Sequence, residues 1–480
     1  MPSSIDRLTA QPYPRDLVGY GRDAPHARWP NDARIAVQFV INYEEGGENC
    51  LLHGDAASEA FLSEIIGAAP WPGQRHMNME SIYEYGSRAG YWRLYRLFTE
   101  RRIPVTVYGV ATAMVRHPDI VASMKEARWE IATHGLKWID YKDFNKEDER
   151  AHILEAIRRH TDIAGTRPLG FYQGRCSENT LDIVMEEGGF VYSADSYADD
   201  LPYWVDGPYG PQLIVPYTLD ANDMRFATPQ GFNSGDQFFT YLKDSFDVLY
   251  AEGIDRPKML SVGLHCRLVG RPGRAAALAR FLDYVQSHDK AWVPTRLDIA
   301  RHWIKTHTPA GGYKPSRMPR GIFVERFGDI FEHTPIIAET AHRAELSASH
   351  DTAEGLHAAM VKAMRGLRDD QKFALINAHP DLAGRLALAN QLTADSAKEQ
   401  GSAGLDELTP NELAAFTDYN TRYMDRIGFP FIFAVKGKTK AEILASFKAR
   451  IGNDRDTEFE TALGQIERIA LLRLKERLPD

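Results

Sequence analysis

Ile35-Ala36-Val37-Gln38-Phe39-Val40, running on into Asn42-Tyr43-Glu44-Glu45, decides how the N-terminal half of this chain is read. The first six residues form a short β-rich run, and the polar group follows at its end. Similar runs recur at Val105-Thr106-Val107-Tyr108, Glu130-Ile131-Ala132-Thr133, Leu213-Ile214-Val215 and Met259-Leu260-Ser261-Val262. Between them lie helical periods such as Ile153, Ala156, Ile157 and His160. Strand and helix alternating up to about residue 305 predict a parallel α/β sheet or barrel. The unusual polar residues fall just after strands: Asn42 to Glu45, His134, Tyr172 to Arg175, Asp195, and His265-Cys266-Arg267. Active sites of parallel α/β folds gather at that end of the strands, so these residues point to one mouth.

Thr306 to Gly321 holds Pro309, Gly311, Gly312, Pro315, Ser316, Pro319 and Gly321, a density of breakers that predicts a linker. Domains are expected at 1–307 and 321–480, joined by 308–320. Beyond the linker the pattern is helical. Thr409-Pro410-Asn411-Glu412 carries an N-cap, a proline at the first helical position and a capping-box glutamate. Asp351 with Glu354, and Thr457 with Glu460, predict two further helix starts. Phe429 to Val435 is the exception, an extended apolar run able to offer backbone N–H groups to a ligand.

A chain of 480 residues is too long for one ordinary domain. With 44% hydrophobic and 26% charged residues it has a globular composition, and no apolar run approaches the ~20 residues of a membrane helix. Met1 to Arg15 is polar and broken by Pro2, Pro12 and Pro14, so no secretory leader is expected. The three widely spaced cysteines, Cys50, Cys176 and Cys266, suit reduced thiols in a cytoplasm. A net charge of −9 argues against a nucleic-acid partner, and any anionic substrate must meet a local Arg or Lys cluster. A homo-oligomer is expected.

His134-Gly135-Leu136-Lys137-Trp138 is the nearest approach to a metal motif. Histidines at i and i+4 with an upstream acid would bind zinc, but position i+4 is Trp138. Only His265 could extend so thin a donor set, and no metal or cofactor is expected. Acid–base chemistry does not need one. Glu44 or Glu45 could activate water, and His134 or His265 could protonate a leaving nitrogen. Arg175, Arg267, Arg271 and Arg274 could hold carbonyl or ureido oxygens, with Trp138 beside them.

In the C-terminal half, His379-Pro380-Asp381-Leu382-Ala383-Gly384 is followed by Ser396-Ala397-Lys398-Glu399-Gln400. An imidazole, a hydroxyl, a carboxylate and an amide could hold a small, polar, planar molecule and deliver a proton to it. The plainer alternative has His379 end a helix before Pro380, with Ser396 and Glu399 forming a capping box.

This segment resembles the 2-oxo-4-hydroxy-4-carboxy-5-ureidoimidazoline decarboxylases. The resemblance rests on Phe331-Glu332-His333-Thr334-Pro335, His379-Pro380-Asp381, Ser396-x-x-Glu399-Gln400 and Gly428-Phe429-Pro430-Phe431-Ile432, over roughly 318 to 478. Ile336 and Ile427 depart from the family's usual tryptophan and phenylalanine. It implies an all-α domain making (S)-allantoin, in which His379 supplies or orients a proton and Pro380 fixes the approach. Ser396, Ala397, Lys398, Glu399 and Gln400 would hold the substrate with the backbone of Phe431, Ile432, Phe433, Ala434 and Val435.

Tyr13 to Gly21, Asn42 to Gly47, His134-Gly135-x-x-Trp138, Asp199 to Trp204 and Gly263-Leu264-His265-Cys266-Arg267 resemble the bacterial allantoinases recruited from polysaccharide deacetylases. That resemblance covers about residues 10 to 307. It implies a distorted (β/α) barrel that hydrolyses the hydantoin ring of allantoin to allantoate without the Asp-His-His metal triad of carbohydrate deacetylases. Two rivals are a metal-dependent carbohydrate deacetylase with a helical binding module, and a fusion with one domain reduced to a scaffold.

Overall fold

The computed structural model describes residues 15–379, 382 and 408–478. Internal contacts divide the chain into two compact units, Met1–Gly207 with Gln212–His307, and Pro208–Pro211 with Thr308–Asp480. Among the described residues no helix is long and apolar enough to cross a membrane.

The strands are β1 (Ile35–Tyr43), β2 (Thr106–Gly109), β3 (Glu130–Thr133), β4 (Gly170–Phe171), β5 (Tyr192–Ser193), β6 (Tyr203–Gly207), β7 (Gly210–Ile214), β8 (Lys258–His265) and β9 (Ala291–Trp292). They form one sheet in the order β6-β7-β5-β4-β3-β2-β1-β8, with β9 also beside β1. β1 runs parallel to both β2 and β8 and is buried at every position. A strand flanked on both edges and covered on both faces must be apolar nearly throughout. Its exceptions have partners. Gln38 Oε1 accepts from the buried Arg296 Nη1 at 2.6 Å, and Arg296 also donates to Ser261 Oγ at 3.0 Å and to the Val215 and Pro216 carbonyls. The register sets Asn42 level with both Tyr108 and His265, which brings the polar ends of three strands to one edge of the sheet. This is the curled parallel sheet of a deacetylase-type (β/α) barrel.

The second unit is helical: Arg320–Phe327, Ile336–Arg343, Ala353–Arg365, Asp369–Ala378, Pro410–Ile427, Lys440–Arg450 and Arg455–Arg477. Thr409 forms the expected capping box with Glu412. Two starts differ from the sequence expectation. Thr352, not Asp351, caps Ala353–Arg365, because Asp351 accepts from Ser316 N and Oγ at 2.8 and 2.9 Å. Asp454 caps the last helix by accepting from Thr457 N, so that helix begins at Arg455 rather than after Thr457. An aspartate competes for a cap wherever its carboxylate reaches an orphan N–H first.

Candidate active site

β1, β3 and β8 end together, and their following residues converge. Glu44 is buried, with Oε1 3.3 Å from His134 Nε2 and 3.5 Å from His265 Nε2. Its Oε2 accepts from Arg267 Nη2 at 2.6 Å. Arg267, fully buried, also donates Nε to the Leu62 carbonyl at 2.8 Å and lies 3.5 Å from Glu45 Oε1. His265 Nδ1 meets Asp223 Oδ1 at 2.6 Å, while Asp223 Oδ2 accepts the backbone N–H groups of His265 and Val269 at 2.7 and 2.9 Å.

These contacts set the protonation states. Burial pushes Glu44 up, but Arg267 and the imidazoles outweigh it and hold the carboxyl well below its ordinary range. Burial would depress His265, yet Glu44 and Asp223 overcome it and raise the imidazole to about 9. Glu45 is raised by burial, opposed by Arg267 and reinforced by Glu44. Glu44 is therefore ionised and can only accept, so His134 presents its Nε2–H to it. His265 is an imidazolium.

The long connection from β1 to the helix Met77–Tyr85 supplies the wall of this cluster. Leu62 adopts a left-handed φ of 48°, which a branched side chain resists, and offers its carbonyl to Arg267. Phe61 stacks on Trp138 at 6.1 Å, and the Arg175 guanidinium lies 3.9 Å over the Trp138 ring and 3.8 Å from Glu59. Of the arginines named from sequence, Arg267 joins the cluster and Arg175 lies at the Trp138 wall. Arg271 and Arg274 instead pair with Glu64.

In the second unit His379 ends the helix Asp369–Ala378 in an extended conformation, φ −77° and ψ 128°, as a residue before proline must. It is buried, and Nδ1 donates to the Leu375 carbonyl at 2.9 Å, which fixes the orientation of the ring. Phe431, Ile432, Ala434 and Val435 are buried and Phe433 half-buried. Arg450 Nη1 donates to the Ile432 carbonyl at 2.8 Å, and the Ala434 N–H donates to Gln465. Arg450 is tied in turn to the buried Glu458, which also accepts from Tyr423 and Asn453. Glu332 pairs with Arg473 at 2.7 Å, both buried. Pro380, Ser396, Ala397, Lys398, Glu399 and Gln400 lie outside the described residues.

The profile of the polysaccharide deacetylase family matches residues 78–186, and that of the OHCU decarboxylase family residues 316–475. A Schizosaccharomyces pombe protein described as a polysaccharide deacetylase is 41% identical over 313 residues, 61% of this chain and 98% of its own. The 2-oxo-4-hydroxy-4-carboxy-5-ureidoimidazoline decarboxylase of Haloferax volcanii is 38% identical over 162 residues, 34% of this chain and 92% of its own. The crystal structure of Puue allantoinase aligns with a TM-score of 0.61 and 60% identity, over 62% of this chain and 99% of that one. This chain belongs to both families, as a fusion.

Within the polysaccharide deacetylase region the donor set does not suit a divalent metal. Trp138 stands where a second motif histidine would stand, its ring under Arg175. One oxygen of Glu44 is committed to Arg267, whose charge would oppose a dication. Among the described residues no group of three or more His, Cys, Asp and Glu could hold a metal ion.

Sequence reasoning missed Asp223 altogether. It sits in a short 3-10 turn, Asp223–Ala227, distant from any predicted strand, and neither period nor motif marks it. Tyr108 and Tyr217 were missed too. Tyr108 stacks on Tyr172 at 4.6 Å, and the Tyr217 hydroxyl accepts from Asn42 Nδ2 at 2.9 Å, so both line the polar end of the barrel.

Proposed function

We propose that this chain is a bifunctional enzyme of urate catabolism. Residues 321–480 decarboxylate 2-oxo-4-hydroxy-4-carboxy-5-ureidoimidazoline to (S)-allantoin, and residues 1–307 hydrolyse allantoin to allantoate. One observation carries the hydrolase half: a buried carboxylate, Glu44, facing two imidazoles whose protons it fixes in opposite roles. His134, oriented through Nε2, takes a proton from water at Nδ1. The resulting hydroxide adds to the ring carbonyl. As the C–N bond breaks, imidazolium His265 protonates the leaving nitrogen, the carbonyl becomes a carboxylate and the ring opens to a ureido group. Asp223 holds His265 in its charged form, and Arg267 holds Glu44 ionised. Arg175 and Trp138 face the substrate side of the wall.

In the decarboxylase half, loss of CO₂ leaves an electron pair on the ring carbon that spreads into the neighbouring carbonyl. His379 supplies or orients the proton that quenches it on one face. The Ile432 carbonyl and the Ala434 N–H are spent on Arg450 and Gln465, which fixes the segment so that its other backbone groups can meet the ring edge. A cytoplasmic homo-oligomer is part of this reading, and the three free thiols are consistent with a reducing compartment.

Freshly oxidised urate, followed by circular dichroism with the full chain, tests it. Optically active allantoin should form and then disappear. His379→Ala should slow its formation by about 10²–10⁴-fold while leaving added allantoin to be opened at the wild-type rate. A full chain that neither forms nor consumes the allantoin signal refutes the assignment.

A further inference from the structure

The ends of β2, β3 and β4 lie side by side, and each carries or is followed by buried polar atoms with no hydrogen-bond partner from the protein. They are the Tyr108 hydroxyl, His134 Nδ1, and both Oε1 and Nε2 of Gln173. The mechanism above uses His134. It does not use Gln173, which is only 2% exposed. The Tyr141 hydroxyl comes within weak hydrogen-bonding reach of its carboxamide, outside good bonding geometry, and bonds His152 Nδ1 at 3.1 Å. Buried carboxamides are rarely left unpaired, because desolvation removes their water partners without replacing them.

The surrounding chain is shaped to hold this side chain in place. The Gln173 and Gly174 N–H groups both donate to the half-buried Asp195 carboxylate, at 2.8 and 2.7 Å. The Tyr172 N–H donates to the Thr133 carbonyl at 3.2 Å, which locks the turn after β4 against the end of β3. Gly135, directly after His134, has a φ of 72°, and a Cβ there would stand 2.6 Å from Gln173 Oε1. Position 135 therefore needs glycine on two counts, backbone conformation and space for the carboxamide. Gln173 is fixed against the backbone one residue from the base.

We propose that Gln173 is the specificity-determining residue of the hydrolase site, pairing its carboxamide with the amide edge of the ring to be opened. Oε1 accepts the ring N–H, and Nε2 donates to the adjacent carbonyl. A carboxamide offers a donor and an acceptor side by side, the complement of a cyclic amide. A sugar hydroxyl array presents no such fixed pair. The inference rests on the hydrolase reading and adds what that site recognises.

The test uses the full chain with two substrates, allantoin and allantoin methylated at the imide nitrogen, which replaces the N–H that Oε1 would accept. Wild type should favour allantoin by about 10²-fold or more in kcat/KM, since a site built to bond a polar group rejects the analogue that lacks it. Gln173→Leu loses both groups and should lower kcat/KM for allantoin by about 10²-fold or more but for the methylated compound by only about tenfold, so the preference shrinks by about tenfold or more. Gln173→Glu, close in shape, keeps an acceptor and loses the donor, and should lower kcat/KM for both compounds by about tenfold. Persistence of the wild-type preference in Gln173→Leu, or wild-type kcat/KM in Gln173→Glu, overturns the role of Gln173 while leaving the hydrolase reading intact. A wild-type chain that opens neither compound overturns the hydrolase reading and this inference together.

Discussion

Asp223→Asn isolates the part of the hydrolase site that sequence did not reveal. Asp223 Oδ2 accepts two backbone N–H groups, so an asparagine oxygen must take that place and its NH₂ must face His265 Nδ1. A donor there gives Nδ1–H no acceptor, which disfavours the imidazolium that Glu44 still supports. In the wild type His265 is raised from 6.5 to about 9, a preference for the charged form of roughly 3 kcal/mol at about 1.4 kcal/mol per pH unit. Glu44 and Asp223 share that preference, so removing one charge should lower the alkaline limb of the kcat/KM profile by about 1 to 2 pH units. Because the acid then loses its proton about 1 to 2 pH units earlier, kcat/KM at pH 9 should drop by about 5- to 50-fold, while the rate near pH 6 should change far less. The assay is allantoin opening from pH 5 to 10, with decarboxylation by the same preparation as the control for folding. An unchanged alkaline limb and a rate at pH 9 within about threefold of wild type would refute the assignment of His265 as the acid. The same pair gives a stability signature. His265 keeps its proton in the fold to about pH 9 but in the unfolded chain only to about 6.5. Its contribution is complete below 6.5 and is lost as pH rises through about 9.

Glu44→Gln strips the buried Arg267 of its closest carboxylate, and the urea midpoint should report a loss of about 3–5 kcal/mol alongside the loss of hydrolysis. His160 is buried and held down to about 4, by burial first and then by Arg167. The unfolded chain therefore binds a proton there at higher pH than the fold does, and stability should fall as pH drops from 6.5 through 4. His160→Leu should flatten that acid limb by up to about 3 kcal/mol in denaturant melts at pH 4 against pH 7. Allantoin hydrolysis should survive exhaustive chelation, because the Arg267 charge bonded to Glu44 would oppose a dication beside it. Activity lost on chelation and regained with zinc, at stoichiometric metal content, would restore the deacetylase-like mechanism.

The sequence by itself determined the elements and the two chemistries. The run Ile35 to Val40 appears within β1, and Glu130 to Thr133 is a strand at both ends as expected. Strand period, helix caps and breakers act over a few residues, which makes them legible in one dimension. The two-residue strands β4, β5 and β9 left no such signal, because their extended backbone is imposed by the neighbouring strand. The strand-end residues Glu44, Glu45, His134, His265 and Arg267 were legible because chain order alone put each after a β run.

Only the tertiary structure decided what those residues do to one another. Glu44 meets Arg267 across 223 positions because β1 lies beside β8, and Asp223 meets His265 across 42 because Asn222 bridges to Gly263 of β8. It also separated Arg267, locked to Glu44 and Leu62, from Arg271 and Arg274, which had looked equivalent to it in a run of basic residues. Protonation followed the same rule. Two adjacent glutamates take opposite shifts, Glu44 down and Glu45 up, because one faces Arg267 and two imidazoles while the other is dominated by burial. Charge interactions in a desolvated interior depend on separation in space and on burial, and neither is a property of sequence neighbours.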